Sequence, residues 1–348
     1  MVEGMEILQL RYFLAVVEHG GVNRAASALH VAQPSLSQAI RRLEKDLQTE
    51  LFHRVGRGLV LAPAGEALIG PARQMLRHLS AAYDAVHEVR DMGSGRVDIA
   101  SLADLSTEPV SRWVAHFRVK NPRLSVRVED RGTVSGIAEL VRSGQCEIGF
   151  GVLPTPHVGL VSEHLVTQHF ALIAPPTTDD DFDEIVPLAA LDGVPFVTGE
   201  QNTTTRVWIA SELAACGAEP WISVEASQRG AVQPLVLNGA GMAIVPLRIA
   251  LEAHEQGAVI RQVDPPLRRD IGVFHRPGAL TPASSAFLDN ACANVTLWER
   301  DVTRHMGEGR TRIEAAALAR AAVRERHLRD LHEGTRAARR SRNASQDS

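Results

Sequence analysis

Lysine is almost missing from this chain. Among 348 residues only Lys45 and Lys120 occur, so arginine supplies nearly all of the 37 basic side chains. The Gly-Lys pair of a phosphate-binding P-loop is therefore absent, and Schiff-base chemistry is not expected. Cysteine is equally sparse. Cys146, Cys216 and Cys292 lie far apart, with no metal or redox spacing, which argues against a disulfide framework. Cys216, just before a glycine in "AACGAEP", reads as a small packed residue and not as a redox sensor. No apolar run approaches the roughly 18 residues of a membrane helix. The N-terminus lacks a basic region followed by an apolar core, so a cytoplasmic protein is expected. Fourteen histidines yield no H-E-x-x-H, and no G-x-S-x-G occurs. "GAGMAI" at 239–244 has the wrong flanking order for a dinucleotide loop, and Gly239 reads as a helix end. "DDDFDE" at 179–184 lacks the glycine of a calcium loop. No catalytic residue, metal ligand or cofactor is expected, and the chain does not read as an enzyme.

What is present is an uneven charge. The net charge of −4 divides into +1 over residues 1–65, −9 over 66–298 and +4 over 299–348. An acidic middle with basic ends permits a polyanionic partner at an end.

The N-terminal block carries the sharpest pattern. Ile7, Leu10, Phe13, Leu14 and Val17 follow helical spacing up to Gly20–Gly21. A second short helix fits Asn23–Leu29 with Asn23 as its N-cap. After the break at His30–Ala32, Pro34 suits the first turn of a third helix, with Leu36, Ile40, Leu43 and Leu47 as its buried stripe. That stripe leaves Gln33, Pro34, Ser35, Ser37 and Gln38 at an exposed helix tip, with Arg41, Arg42 and Lys45 behind. Short hydrogen-bonding side chains at such a tip suit base edges in the major groove, and cations behind it suit phosphates. "LFHRVGRGLVLAP" reads as a wing with Arg54 and Arg57 near its turn. The alternative is a helical packing module whose polar face is merely solvated.

From about Ala64 to Asp91, Leu68, Ala72, Met75, Leu79, Ala82, Val86 and Val89 form a heptad seam, interrupted by Pro71. A narrow seam among charges favours pairing with another helix over lying on its own core. Beyond "GSGRV", strands and helices alternate twice. "VDIAS", "SVRVED", "EIGFGVL" and "HFALIAP" read as strands of a first α/β unit; "PFVTG", "WISVEAS" and "MAIVPL" read as those of a second. Segments 152–159 and 264–270 are the candidate crossovers. His164 and His169, if on one strand, point to opposite faces.

"LRYFLAVVEHGGVNRAASALHVAQPSLSQAIRRLEKDLQTELFHR" followed by "LAPAGEAL" resembles the winged helix-turn-helix of LysR-type transcriptional regulators. Family members touch bases through a Q-P-x-x-S-R stretch, which carries over to Gln33, Pro34 and Ser37. Gln38 stands where arginine is commoner, and Val22 where phenylalanine is usual. "AELVRSGQCEIGF" and "NGAGMAIVP" resemble, more loosely, the effector domain of the same family, which is similar to periplasmic solute-binding proteins. The resemblance implies an α/β protein with four regions. These are a winged helix-turn-helix over 1–63, a linker helix over 64–92, an effector domain of two α/β subdomains over 93–298, and a basic extension over 299–348, partly helical or disordered. It also implies double-stranded DNA, an unidentified small-molecule effector, a homodimer or homotetramer through the linker, and RNA polymerase as a further candidate partner.

Ligands of open sheets sit beyond strand carboxyl ends, often at helix N-termini. That selects Ser101, Asp104, Thr133, Ser135, Thr198, Asn202, Thr203 and Thr204 as effector contacts. Ser227 suits a helix cap as well as a ligand contact. The family often has serine where Val134 stands. Hydroxyls suit a carboxylate while Asp104 would repel one, so residue types leave the effector's charge open. In the extension, "RIEAAALARAAVRERHLRDL" is helix-prone, with Ile313, Ala317, Ala321 and Leu328 as a thin stripe, and "RAARRSRNASQDS" reads as disordered. The extension as a whole reads as a solvated tail, the alternative being an auxiliary contact to DNA or to a neighbouring subunit.

Overall fold

A computed structural model describes residues 5–55, 58–91, 95–154, 159–178 and 183–346; at 54, 55, 58, 81–91, 330 and 332–346 only the backbone is described. Arg57, part of the 152–159 segment and most of "DDDFDE" lie outside the described residues, and the side chains of Arg54, Ala82, Val86 and Val89 do too.

Three helices and a hairpin open the chain: α1 (Ile7–His19), α2 (Val22–Ala28), α3 (Gln33–Leu47), β1 (Phe52–Val55) and β2 (Gly58–Leu61). Leu10, Phe13, Leu36 and Leu43 are fully buried among them. α2 starts one residue earlier than expected, with Gly21 and not Asn23 as its N-cap. Gly20, at φ +65, ends α1 in a left-handed turn, so the chain re-enters helix at once. The long helix α4 (Pro63–Asp91) then leaves the hairpin. A Cβ on Gly65 would stand 2.3 Å from the Leu51 carbonyl oxygen, so only glycine lets α4 start against the wing.

Two α/β units follow. The first holds β3 (Gly95–Leu102), α5 (Ala103–Leu105), α6 (Ser111–Lys120), β4 (Leu124–Arg131), α7 (Val134–Arg142) and β5 (Ile148–Val152). β6 (Val161–Ala174) leads to the second, which holds β7 (Ile185–Pro187), β8 (Pro195–Gly199), α8 (Thr204–Ala215), β9 (Trp221–Ala226), α9 (Val232–Leu237), β10 (Ala243–Pro246), α10 (Leu247–Glu255) and β11 (Val259–Asp264). β12 (Arg268–His275) returns to the first unit. The order β4-β3-β5-β12-β6-β11-β7 forms one curled sheet, with β3 parallel to β4 and β5.

The crossover is not where the sequence reading placed it. β6 pairs with β12 along Val161–His169 and with β10 and β11 along Phe170–Ala174. One long strand serves both units, so the chain changes unit within β6. The second crossover, between β11 and β12, does fall at 264–268. Gly241, at φ +142, lets Met242 exchange backbone hydrogen bonds with Pro195 and Val197 (2.8 and 2.7 Å), which ties β10 to β8.

The boundary drawn at 298 falls inside α11 (Pro282–Gly307). Phe287 and Ala291 pack into the first unit, Trp298 and Val302 into the second. The extension is not a solvated tail. α12 (Arg312–Gln346) buries Ala315, Ala316, Ala319 and Val323 in the second unit's core. Arg326 pairs with Asp301 at 2.8 Å, and His327 stacks on His116 of α6 at 4.6 Å between ring centroids. Small residues at helical spacing let α12 lie close, and an alanine- and arginine-rich sequence is a strong helix former through to Gln346. Among the described residues no helix is long and apolar enough to cross a membrane.

Removing residues 310–348 should therefore destabilise the protein instead of leaving it unchanged. Exposing this apolar face should cost about 2 kcal/mol net, lowering Tm by roughly 4–8 °C in a thermal melt.

Candidate functional sites and their relatives

The tip of α3 is open. Gln33, Pro34, Ser35, Gln38, Arg41, Arg42 and Lys45 are exposed, Ser37 is half-buried, and Leu36, Ile40 and Leu43 face the core. Gln33 Nε2 donates to Ser37 Oγ at 2.8 Å, one helical turn away, so these two side chains hold each other. Arg42 meets Glu6, at 3.4 Å, in an exposed pair of the kind worth little. Arg54 lies on β1 opposite Leu59, one pair from the turn of the wing, as expected. The sequence reading missed Glu44. Its Oε1 accepts the backbone N–H of Leu51 (2.9 Å) and of Phe52 (3.3 Å), fixing the wing to the reading helix.

The first half of the linker seam does not face a partner. Leu68 and Ala72 pack into the core of the helix-turn-helix, with Ile69 and Leu76. The stripe is apolar because α4 covers its own domain there. Met75 is exposed and Leu79 half-exposed, so a free apolar edge starts at Met75. On another side of α4, Arg73 Nη1 donates to the Ser143 carbonyl at 3.3 Å and Arg77 donates to that of Gly144. Burial lowers the Arg77 pKa, opposed by Glu147 and Asp98. Both arginines thus hold the C-terminal end of α7, where the helix dipole favours cations.

The N-terminal end of α7 lies where the two units meet. The Thr133 hydroxyl caps α7, accepting Gly136 N–H at 3.2 Å, and Ser135 donates to Thr133. Thr204 N–H donates to the Gly132 carbonyl at 2.8 Å, and Val134 N–H donates to Thr204 Oγ1 at 3.2 Å. A cleft of about 240 Å³ opens beside these contacts, lined by Asp130, Arg131, Glu200, Thr203, Ser227 and Arg229 among others. Asn202, at φ +65, turns the chain into α8, and Thr203 caps that helix. Ser227 caps nothing, because the next helical turn starts after Gln228.

Two expected effector contacts are placed elsewhere. Ser101 is fully buried on β3, and its hydroxyl donates to the Leu102 carbonyl at 3.2 Å. Asp104 is also buried, and it is already engaged. Its Oδ2 accepts from Thr205 Oγ1 at 3.1 Å and from Arg269, whose other nitrogens donate to Thr205 Oγ1 (2.8 Å) and Gln168 Oε1 (2.9 Å). A buried carboxylate needs partners, and these come from the opposite unit and the crossover strand. Burial alone would raise the Asp104 pKa. The charges of Arg269 and Arg229, with the hydrogen bonds, outweigh it and hold the carboxyl below its ordinary range.

Sequence reasoning missed Arg206, Arg229 and Arg269. Arg229 and Arg206 line a small side lobe of about 40 Å³ with Thr198, and Arg229 and Gly199 line the cleft as well. Arginine is common enough here that spacing gave no signal. Of the cysteines, Cys146 is buried, and burial pushes its thiol up to about 12, which removes its reactivity.

Residues 7–66 match the family described as "Bacterial regulatory helix-turn-helix protein, lysR family", and residues 90–293 match "LysR substrate binding domain". The chain belongs to the LysR family of transcriptional regulators. It is a DNA-binding regulator with an effector-binding domain, and not an enzyme. The RuBisCO operon transcriptional regulator of Allochromatium vinosum is 27% identical over 289 residues, covering 81% of this chain and 94% of that one. The fold is shared with full-length CbnR complexed with its target DNA (TM-score 0.56, 22% identity, 82% and 99% coverage). It is also shared with LysG of Corynebacterium glutamicum with bound effector Arg (TM-score 0.59, 16% identity, 84% and 98% coverage).

Asp104→Asn should leave Arg269 and Arg229 buried without a counter-charge and cost about 3–5 kcal/mol. A carboxylate whose pKa is lowered on folding stabilises above its unfolded value of about 3.9, and that stability is lost as pH falls through the folded value. Melts across a pH series should show this acid-sensitive component in the wild type and its loss in the variant.

Proposed function

We propose that this regulator reads a specific DNA sequence through the tip of α3 and answers to a small molecule bound between its two α/β units. The observation that carries the DNA half is the sidedness of α3: core residues on one face, and short polar groups then cations on the other. Ser35 and Gln38 are the free readers, and Gln33 joins them by releasing Ser37. Arg41, Arg42 and the wing residues Arg54 and Arg57 meet phosphates. The relatives support the effector half, since LysG carries its effector in the same fold. For this chain the contacts are drawn from Thr133, Ser135, Thr198, Asn202, Thr203 and Ser227, and no longer from Ser101 or Asp104. Two copies pair through the edge of α4 that starts at Met75, presenting two recognition helices about one DNA turn apart. RNA polymerase is the remaining partner, and the cytoplasm the place of action.

Gln38→Ala should cost about 1–3 kcal/mol on the preferred site and relax one base position per half-site, because a glutamine amide can pair bidentately with adenine. Arg42→Ala should weaken all duplexes alike and reduce the salt slope by about one. Binding to specific and scrambled duplexes across a salt series separates the two. Equal loss on both duplexes in Gln38→Ala removes Gln38 from the readers.

Leu79→Arg places a charge on the free edge of α4 while leaving Leu68 and Ala72 in their core. Sedimentation should show a smaller oligomer, and affinity for a two-half-site duplex should fall. An unchanged oligomer that binds DNA normally means the copies pair elsewhere.

A further inference from the structure

The cleft's side lobe has an imbalance of charge. Arg229 and Arg269 both act on one buried carboxylate, Asp104, which Arg269 and Thr205 already occupy, and Arg206 lines the lobe beside Arg229. Among the described residues the Arg229 guanidinium makes no hydrogen bond or ion pair, although burial is the main influence on it and lowers its pKa. Arg206 Nε is buried without a partner. Thr198 is buried for the most part, and among the described residues its hydroxyl makes no hydrogen bond. No Asp or Glu lines the lobe. A desolvated Arg229 guanidinium and the unpaired Arg206 Nε beside a free hydroxyl present donors that match the oxygens of a carboxylate or phosphate.

Arg229 connects this lobe to the main cleft, because it lines both. The lobe, about 40 Å³, has room for one charged group, and the cleft, about 240 Å³, for the rest of a small molecule. Gly199 forms the wall between them, and a Cβ there would stand 3.2 Å from Arg229 Nη2. A side chain at 199 would crowd the guanidinium.

We propose that Thr198, Arg206 and Arg229 form an oxyanion pocket, and that the effector is a small molecule bearing a carboxylate or phosphate group that enters it. This rests on the reading of the cleft as the effector site and adds the charge of the ligand and the residues that recognise it. It places the charged end against the second unit, and not at the N-terminus of α7, where Thr133 and Thr204 already satisfy Gly136 and Val134 N–H.

The test uses the full chain and simple anions. Thermal melts and calorimetry are run with inorganic phosphate, with malonate, and with chloride at matched ionic strength. One oxyanion should raise Tm saturably where chloride does not, and whichever does so assigns the group. Arg206→Gln and Arg229→Gln should each weaken that anion at least tenfold while binding operator DNA normally, which shows that they fold. Equal behaviour of both oxyanions and chloride, or unaltered binding in both arginine variants, overturns the pocket. A panel of metabolites in a DNA-binding assay separates this from the wider reading. A response that survives intact in Arg229→Gln overturns the pocket and keeps the effector site. Oxyanion binding lost in the variants, with no response to any metabolite, supports the pocket and counts against the effector reading alone.

Discussion

The contact on which the effector domain depends is the buried triad of Asp104, Arg269 and Thr205. Each member comes from a different part of the chain: the turn after β3, the crossover strand β12, and the first turn of α8. Such a pair adds little net stability over an apolar substitute, because desolvation offsets the Coulomb attraction. It specifies geometry instead. With Arg269 also held by Gln168 of β6, the two units can meet in one register, and that register places Gly132 against Thr204 and creates the cleft.

The DNA-binding end is organised by smaller constraints of the same kind. Glu44 ties the end of α3 to the start of the wing, and Gly65 lets α4 start against Leu51. Reading helix, wing and linker therefore move as one piece. The linker's arginines then tie that piece to the effector domain through the carbonyls after α7.

The helix-turn-helix was legible because its signals are local. A four-three-four stripe and a proline at the helix start determine which face of α3 is exposed. The alternation of strands and helices was legible for the same reason, although β7, β11 and β12 went unread. What was lost depends on distance along the chain. The seam from Leu68 looks identical whether it meets a partner or its own domain, and Ala72 in the core of the helix-turn-helix decides this only in three dimensions. Asp104 was read as an effector contact because its actual partner lies 165 residues away. The arginines of the cleft carry no periodicity. In α12 the stripe read from Ile313, Ala317, Ala321 and Leu328 was the wrong face: Ala317, Ala321 and Leu328 are exposed, and Ala315, Ala316, Ala319 and Val323 do the packing, because alanines on every side leave no single apolar stripe in the sequence.

The helix α7 has a further consequence. Its nine residues run from the cleft, where its first N–H groups are capped, to α4, where Arg73 and Arg77 hold the carbonyls beyond its last turn. One dipole is thus read at both ends. Whatever shifts this helix along its axis at the cleft must lengthen or shorten the contacts to the linker by the same displacement. If a ligand in the cleft shifts the helix in this way, then by reciprocity a change in the linker's pose alters affinity at the cleft by an equal free energy. The rod is about 13 Å long by its helical rise, short and rigid enough to act as a piston between metabolite and operator.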